Sequence, residues 1–316
     1  MMRIILDIYS GRPNPTWTLS PRHAREVAGE IAADPTLLGD AEDVRGRLGL
    51  RGVIVEPSPE QRRERGGELL PARFRITAPA GSKAGKAAEL IERVVALAAD
   101  VQPHPRARGL EAAHLDLRGV VRRELDRLSR RPPRRGDGGR RGGVRGHMPP
   151  APVHGTDATT VTPVAVGHCR AEVTPLNPGF WNLDPVQDLN NCYNYATNRR
   201  TDTFAAPGDA AGALYAAYDC PAMVAAATAD GVVFVPQCAP AAEAPRWHMA
   251  LVIWPGEDFH WYRQAEGGVW GHKPGHLEAT DLDNALEAIQ DPQLADRGPY
   301  ADFCGFCFAP RSMGIR

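Results

Sequence analysis

HMALVIWPGEDFHWYRQ (248–264) decides the reading of the C-terminal half. Its first part is a run of apolar residues, its middle is Pro255-Gly256, and its second part is rich in aromatics. A short apolar run, a Pro-Gly turn and a second β-prone run read as two antiparallel strands. GVWGHKPG (268–275) follows within a few residues and extends the pair to a meander. Upstream, NNCYNYATNRR (190–200) reads as a helix that starts near Cys192. GALYAAYDCPAMVAAATADG (212–231) reads as a second helical region closed by Gly231, and VVFVP (232–236) as a short strand. Helices followed by an antiparallel sheet define an α+β domain.

The rest of the chain differs in character. The 316 residues suggest two domains. MRIILDIYS (2–10) reads as a strand and GRPNP (11–15) as a loop. LSPRHAREVAGEIAAD (19–34) reads as a helix with Ser20 as N-cap and Pro21 at its first position. RGVIVEP (51–57) and ARFRITAP (72–79) read as strands, and SKAGKAAELIERVVALAAD (82–100) as a helix capped by Ser82. A further helix is expected over 108–130, where Leu110, Leu117, Val121, Leu125 and Leu128 recur at helical steps. RRPPRRGDGGRRGGVRG (130–146) then interrupts any apolar face. The expected organisation is a small α/β domain over 1–130, an Arg/Gly/Pro-rich linker over 131–160 and the α+β domain over 161–316.

Composition is that of ordinary globular domains, 43% hydrophobic and 24% charged, with a formal net charge of −1. This balance points to neither nucleic acid nor a membrane surface, and no apolar run reaches the roughly 18 residues of a membrane helix. The N-terminus lacks a leader-like apolar stretch, so a cytoplasmic protein is expected. The cysteines Cys169, Cys192, Cys220, Cys238, Cys304 and Cys307 all lie in the second half. An even count in such a chain does not by itself require disulfides.

Cys192 is the candidate nucleophile. At the start of a helix the free N–H groups and the macrodipole favour an anion, which moves a thiol towards thiolate. The same N–H groups can hold a developing oxyanion. His248 opens an apolar strand and is the candidate base. His260, on the next strand, is the candidate orienter of its ring, with Asp258 and Glu257 as nearby substitutes. Gln187, Asn191, Trp261 and His272 are candidate oxyanion or substrate contacts. A zinc reading of His248, His260 and His272 with Cys304-x-x-Cys307 lacks a converging set of four ligands, so no metal and no cofactor is expected.

Cysteine on a helix, then histidines on two strands joined by a short turn, resembles the NlpC-like and CHAP branches of the papain-fold thiol enzymes. The resemblance covers about 185–265. It implies a papain-like domain that cleaves or transfers at an amide bond of a peptide or related substrate. Asn191-Cys192-Tyr193-Asn194 departs from the Asp-Cys-Ser-Gly usual at the NlpC-like nucleophile. NPGFWN (177–182), NNCYNYATN (190–198), HMALVIWPGEDFHWYRQ (248–264), HKPG (272–275) and DRGPYADFCGF (296–306) are also similar to a little-characterised group named after an insoluble shell-matrix protein. That second resemblance implies the alternative, a non-catalytic binding or matrix module.

Overall fold

A computed structural model describes residues 2–39, 44–60, 62, 70–78, 85–98, 116–131 and 161–316. Ser82, Leu110 and the expected linker beyond Arg131 lie outside the described residues. The protein is mixed α and β, with two sheets and several helices, as the α+β reading expects. It divides into two units. The first comprises Met1–Ile8, Asn14–Val44 and Gly49–Arg135, the second Tyr9–Pro13, Arg45–Leu48 and Gly136–Arg316. Two short N-terminal segments are thus part of the second unit, which a division of the chain near residue 131 does not anticipate.

The first unit is built on strands β1 (Met2–Asp7), β2 (Thr16–Leu19), β3 (Leu38–Gly39), β4 (Gly52–Pro57) and β5 (Phe74–Thr77). They form an antiparallel sheet in the order β2-β1-β4-β5-β3. TWTL (16–19) pairs with β1, a strand the sequence reading did not anticipate; four residues carry too short an alternation to stand out. Helix α1 (Pro21–Ala33) begins as expected, the Ser20 hydroxyl accepting from His23 N, and buries Ala24, Val27 and Ile31 along one stripe. Helices α2 (Gly85–Ala96) and α3 (Leu117–Ser129) bury Leu90, Ile91, Val94 and Val95, and Val120, Val121, Leu125 and Leu128.

Asp7, at the end of β1, is a fully buried carboxylate. It accepts from Arg51 Nε at 2.8 Å and Asn14 Nδ2 at 3.1 Å, and it pairs with Arg75. Burial by itself would raise this carboxyl; Arg51 and Arg75 overcome that and hold it well below the usual carboxylate range.

The second unit holds a seven-stranded sheet. Its strands are β6 (Thr162–Val166), β7 (Cys169–Val173), β8 (Val233–Phe234), β9 (Trp247–Trp254), β10 (Asp258–Gln264), β11 (Trp270–His272) and β12 (Asp302–Ala309). Five run in the order β11-β10-β9-β12-β8, β7 joins β9 in parallel and β6 pairs with β7. The meander β9-β10-β11 is the one expected. Between β9 and β10 the chain turns at Pro255-Gly256, with Gly256 at φ 74° and Glu257 N donating to Trp254 O at 2.9 Å. Proline followed by a residue in the left-handed region is the type II turn. The short helices α4 (Pro178–Trp181) and α5 (Val186–Leu189) lead into α6 (Cys192–Thr197). The second helical region narrows to α7 (Cys220–Ala229), because Asp219 caps it through Ala222 N and Pro221 stands in its first turn.

Trp247, Met249, Leu251 and Ile253 of β9 and Phe259 and Trp261 of β10 form one core with Cys192, Tyr193 and Ala196 of α6. Trp261 lies against Tyr193 with ring centroids 5.1 Å apart. Two disulfides brace this unit, Cys169–Cys238 and Cys220–Cys304, closing loops of 69 and 84 residues. Cys192 and Cys307 are free and buried. Cys304 and Cys307 do not bond to each other, since three residues of strand span roughly 10 Å, beyond a disulfide's reach.

Replacing Asp7 by Asn leaves the Arg51 charge buried without its counter-charge and is expected to cost about 3–5 kcal/mol in chemical denaturation. Because the folded-state carboxyl is depressed, its contribution is complete above the unfolded value near 4 and is lost as pH falls below it. Acid titration of wild type against Asp7→Asn should show the difference shrinking on the acid side, and a pH-independent difference would contradict this account.

Candidate functional site

The motif NNCYNYATN folds into a dense polar knot. Asn191 is the N-cap of α6, its carbonyl oxygen accepting from Tyr193 N at 3.0 Å and Asn194 N at 3.2 Å. Asn194 returns the bond by accepting from Asn191 N at 3.0 Å, which completes a capping box. Asn190 accepts from Thr201 N and Asp202 N and donates to Val186 O at 2.9 Å. Asn198 adopts the left-handed conformation at the C-cap, φ 55°. These asparagines bind backbone, so their recurrence reflects a compact turn of chain.

Cys192 is the first residue of α6, as expected, but is fully buried. Its Sγ lies 4.0 Å from the Phe259 carbonyl oxygen. Burial, reinforced by the nearby Asp258 charge, pushes the thiol well above its ordinary value, against the pull of the Trp261 amide and the Lys273 charge. The helix start therefore does not produce a thiolate here; desolvation exceeds what one short helix end returns.

His248 does not meet Cys192. On β9 the odd-numbered residues share the core of Cys192, while His248 faces the other way and stacks on Phe308, 5.5 Å away at 26°. Trp270 and Phe306 complete its surroundings, with centroids at 4.8 and 5.4 Å. His248 Nδ1 lies 2.8 Å from Gln264 Oε1, and Nε2 is buried with no hydrogen-bond partner. Burial lowers this imidazole, with Gln264 partly opposing, so the ring is neutral.

His260 is not the orienter of His248. A hairpin centred on Gly256 pairs residues equidistant from it, so Val252 stands opposite His260, and His248 stands level with Gln264. The two histidines are four residues apart along the strands, about 13 Å. Cys192 faces Phe259, five residues from Gln264 and across the sheet from His248. The expected nucleophile, base and orienter are three separate places, and the register of one hairpin separates them. The twelve-residue step that suggested neighbouring histidines ignored where the turn was centred.

His260 Nε2 instead meets His272 Nδ1 at 2.9 Å, and His272 Nε2 lies 2.9 Å from Leu282 O. A carbonyl only accepts, so His272 carries a proton on Nε2, and its Nδ1 shares a hydrogen bond with His260 Nε2. This chain ties β10, β11 and the following loop together. The other candidate contacts are also committed. Gln187 Nε2 donates to His276 O at 3.1 Å rather than towards Cys192. Asn191 Nδ2 donates to Gly11 O at 2.5 Å and Ala205 O at 2.9 Å. Trp261 is buried against Tyr193. For the zinc alternative, Cys304 is consumed by its disulfide. His168, Cys169 and Cys238 also cluster, but both sulfurs belong to one disulfide and are not thiolate ligands.

Asp258, read from the sequence only as a substitute orienter for His248, has a different place. It is fully buried at the head of β10 and accepts from Ser10 N at 2.7 Å, Gly11 N at 3.2 Å and Arg12 N at 3.1 Å. The Tyr300 hydroxyl donates at 2.5 Å. Burial raises this carboxyl, opposed first by the Arg12 charge and then by the hydroxyl and amides. Beside it, Arg12 lies over the Tyr9 ring, 3.7 Å from its centroid, and reaches Glu257 at 3.6 Å. The sequence reading of GRPNP (11–15) as a loop gave no sign that Ser10, Gly11 and Arg12 would be its partners.

The comparisons with known proteins come to one relative. Over 133 residues the chain is 47% identical to insoluble matrix shell protein 1 of Ruditapes philippinarum, a match covering 42% of this chain and 88% of that protein. The chain belongs to that family. No family model and no solved structure matches it. The cytoplasmic expectation is corrected here: two disulfides are the mark of an oxidising compartment, and a relative named for an insoluble shell matrix agrees.

At Gly11 an added Cβ would stand 2.5 Å from the Phe259 carbonyl oxygen. Gly11→Ala is therefore expected to displace the Ser10–Arg12 amides from Asp258 and to destabilise the protein by about 1–3 kcal/mol. A denaturation midpoint equal to wild type would show that this close approach is not required.

Proposed function

We propose that the second unit is a non-catalytic module, braced by disulfides and built for an extracellular matrix. The observation that carries this reading is the position of Cys192, fully buried against Phe259 O on the sheet face opposite His248. A thiol without water, without a basic partner and pushed towards its protonated form has none of the features of a nucleophile. The family membership supports the matrix reading, because the relative bears that name. Two disulfides support a life outside the reducing cytosol.

The order of elements, a helix headed by cysteine packed on antiparallel strands, supports a papain-like origin for this unit. In this reading the scaffold persists and the catalytic pair is not assembled. The asparagines around Cys192 then serve rigidity, and the histidines serve cohesion of the sheet.

The test is native-state thiol chemistry. In a Cys307→Ala background, Cys192 should react with iodoacetamide only at the rate of global unfolding, and amide and peptide substrates should turn over no faster than in buffer. Rapid alkylation near neutral pH, or turnover that disappears in Cys192→Ala, would restore the thiol-hydrolase reading.

A further inference from the structure

Several buried arginines of the second unit pair with acids among the described residues. Arg246 is bidentate on Glu172, with bonds at 2.8 and 3.2 Å, and Arg12 reaches Glu257. Arg263 has no such partner. It lies on β10 between Met249 of β9 and Gly271 of β11, on the face covered by α6, and is fully buried. Its guanidinium stands 4.5 Å from the Tyr195 ring centroid and 5.8 Å from that of Trp247. Nε and both terminal nitrogens are buried and make no hydrogen bond.

A guanidinium keeps its charge inside a protein. Leaving one uncompensated in the interior costs more than ring faces return. Glu172, on β7 across β9, accepts from Arg246 N, Nε and Nη2 and is the partner of that arginine. A second orphan lies at the same end of the sheet: Thr174 Oγ1 is buried without a partner, and Thr174 bridges Ala265, two residues from Arg263. Four donor atoms with no acceptor at one end of a sheet describe an anion site. The surroundings are closely packed. An ideal Cβ on Gly271 would fall 2.1 Å from the Tyr195 hydroxyl and 2.3 Å from Leu176 Cδ1. Such packing suits a monatomic ion better than a phosphate group.

We propose that Arg263 and Thr174 hold a small monovalent anion, chloride or an ion of its size, as a structural constituent of the second unit. The ion supplies the counter-charge that no described side chain supplies and locks β10 under α6 through Arg263. The site is independent of whether Cys192 is catalytic.

The experiment uses the full chain. Chloride replaces the bulky organic anion isethionate at constant ionic strength, and thermal unfolding is followed. The midpoint should rise logarithmically with chloride, by roughly 5–10 °C once chloride is far above its dissociation constant. Arg263→Met should lose this dependence and exceed wild type in stability when chloride is absent. Crystals grown in bromide should show an anomalous peak beside the Arg263 guanidinium. Where Arg263→Met fails to fold, the wild-type titration and the bromide peak decide. A midpoint indifferent to chloride, together with a water molecule and no bromide at Arg263, would overturn the proposal.

Discussion

One buried carboxylate organises the second unit. Asp258 enters the interior at the head of β10, where an unpaired acid would be expelled, and it stays because Ser10, Gly11 and Arg12 present three consecutive amides and Tyr300 adds a hydroxyl. The amides require the chain to pass Phe259 closely, which only a glycine permits at position 11. The same glycine offers its carbonyl to Asn191, the cap of α6. Loop, hairpin and helix start are thus fixed by a single set of hydrogen bonds, each satisfied at the expense of no other. Removing the carboxylate would strand its donors, which is costlier than never having buried them.

Around that centre the polar residues that look most chemical are spent on cohesion. Asn190, Asn191 and Asn194 satisfy backbone groups that a short helix and its flanking turns leave open. Lys273 is buried and donates to the carbonyl oxygens of Asn190 and Gly275, closing the loop before α6 onto β11. His260 and His272 form a hydrogen-bonded chain that ends on Leu282 O. A binding pocket leaves such groups unsatisfied and aimed at solvent. Here they are turned inward and paired, and the two long-loop disulfides add restraint of the unfolded chain.

Much of the fold was legible. The Pro-Gly turn and the apolar run before it announced β9 and β10, Ser20-Pro21 announced α1, and the asparagine pair announced the start of α6, because each rests on local backbone preferences that few residues suffice to express. Strands β6 and β7 were not legible: five-residue pieces joined by Gly167-His168 carry little alternation. Around Cys304 and Cys307 the sequence said nothing of a strand β12 that would pair with β9 in the middle of the sheet. Pairings of that kind are made by residues about fifty positions apart.

The sequence by itself determined the residue types, the helix starts and the hairpin, and through the centre of that hairpin it already contained the register that keeps His248 from His260. Only the tertiary structure decided which face each side chain takes. Alternation along β9 sends Met249 to the helix and His248 to Phe308, and no count of residues says which face the helix covers. Cys192 looked like a nucleophile because a helix start favours an anion locally; the core that surrounds it reverses that preference, since desolvation depends on everything packed about the sulfur. Asp258 and Arg263 are the same lesson with opposite sign. Both are ordinary charges on an ordinary strand in the sequence, and burial among distant residues gives one a full set of donors and leaves the other with three donor nitrogens that find no partner among the described residues.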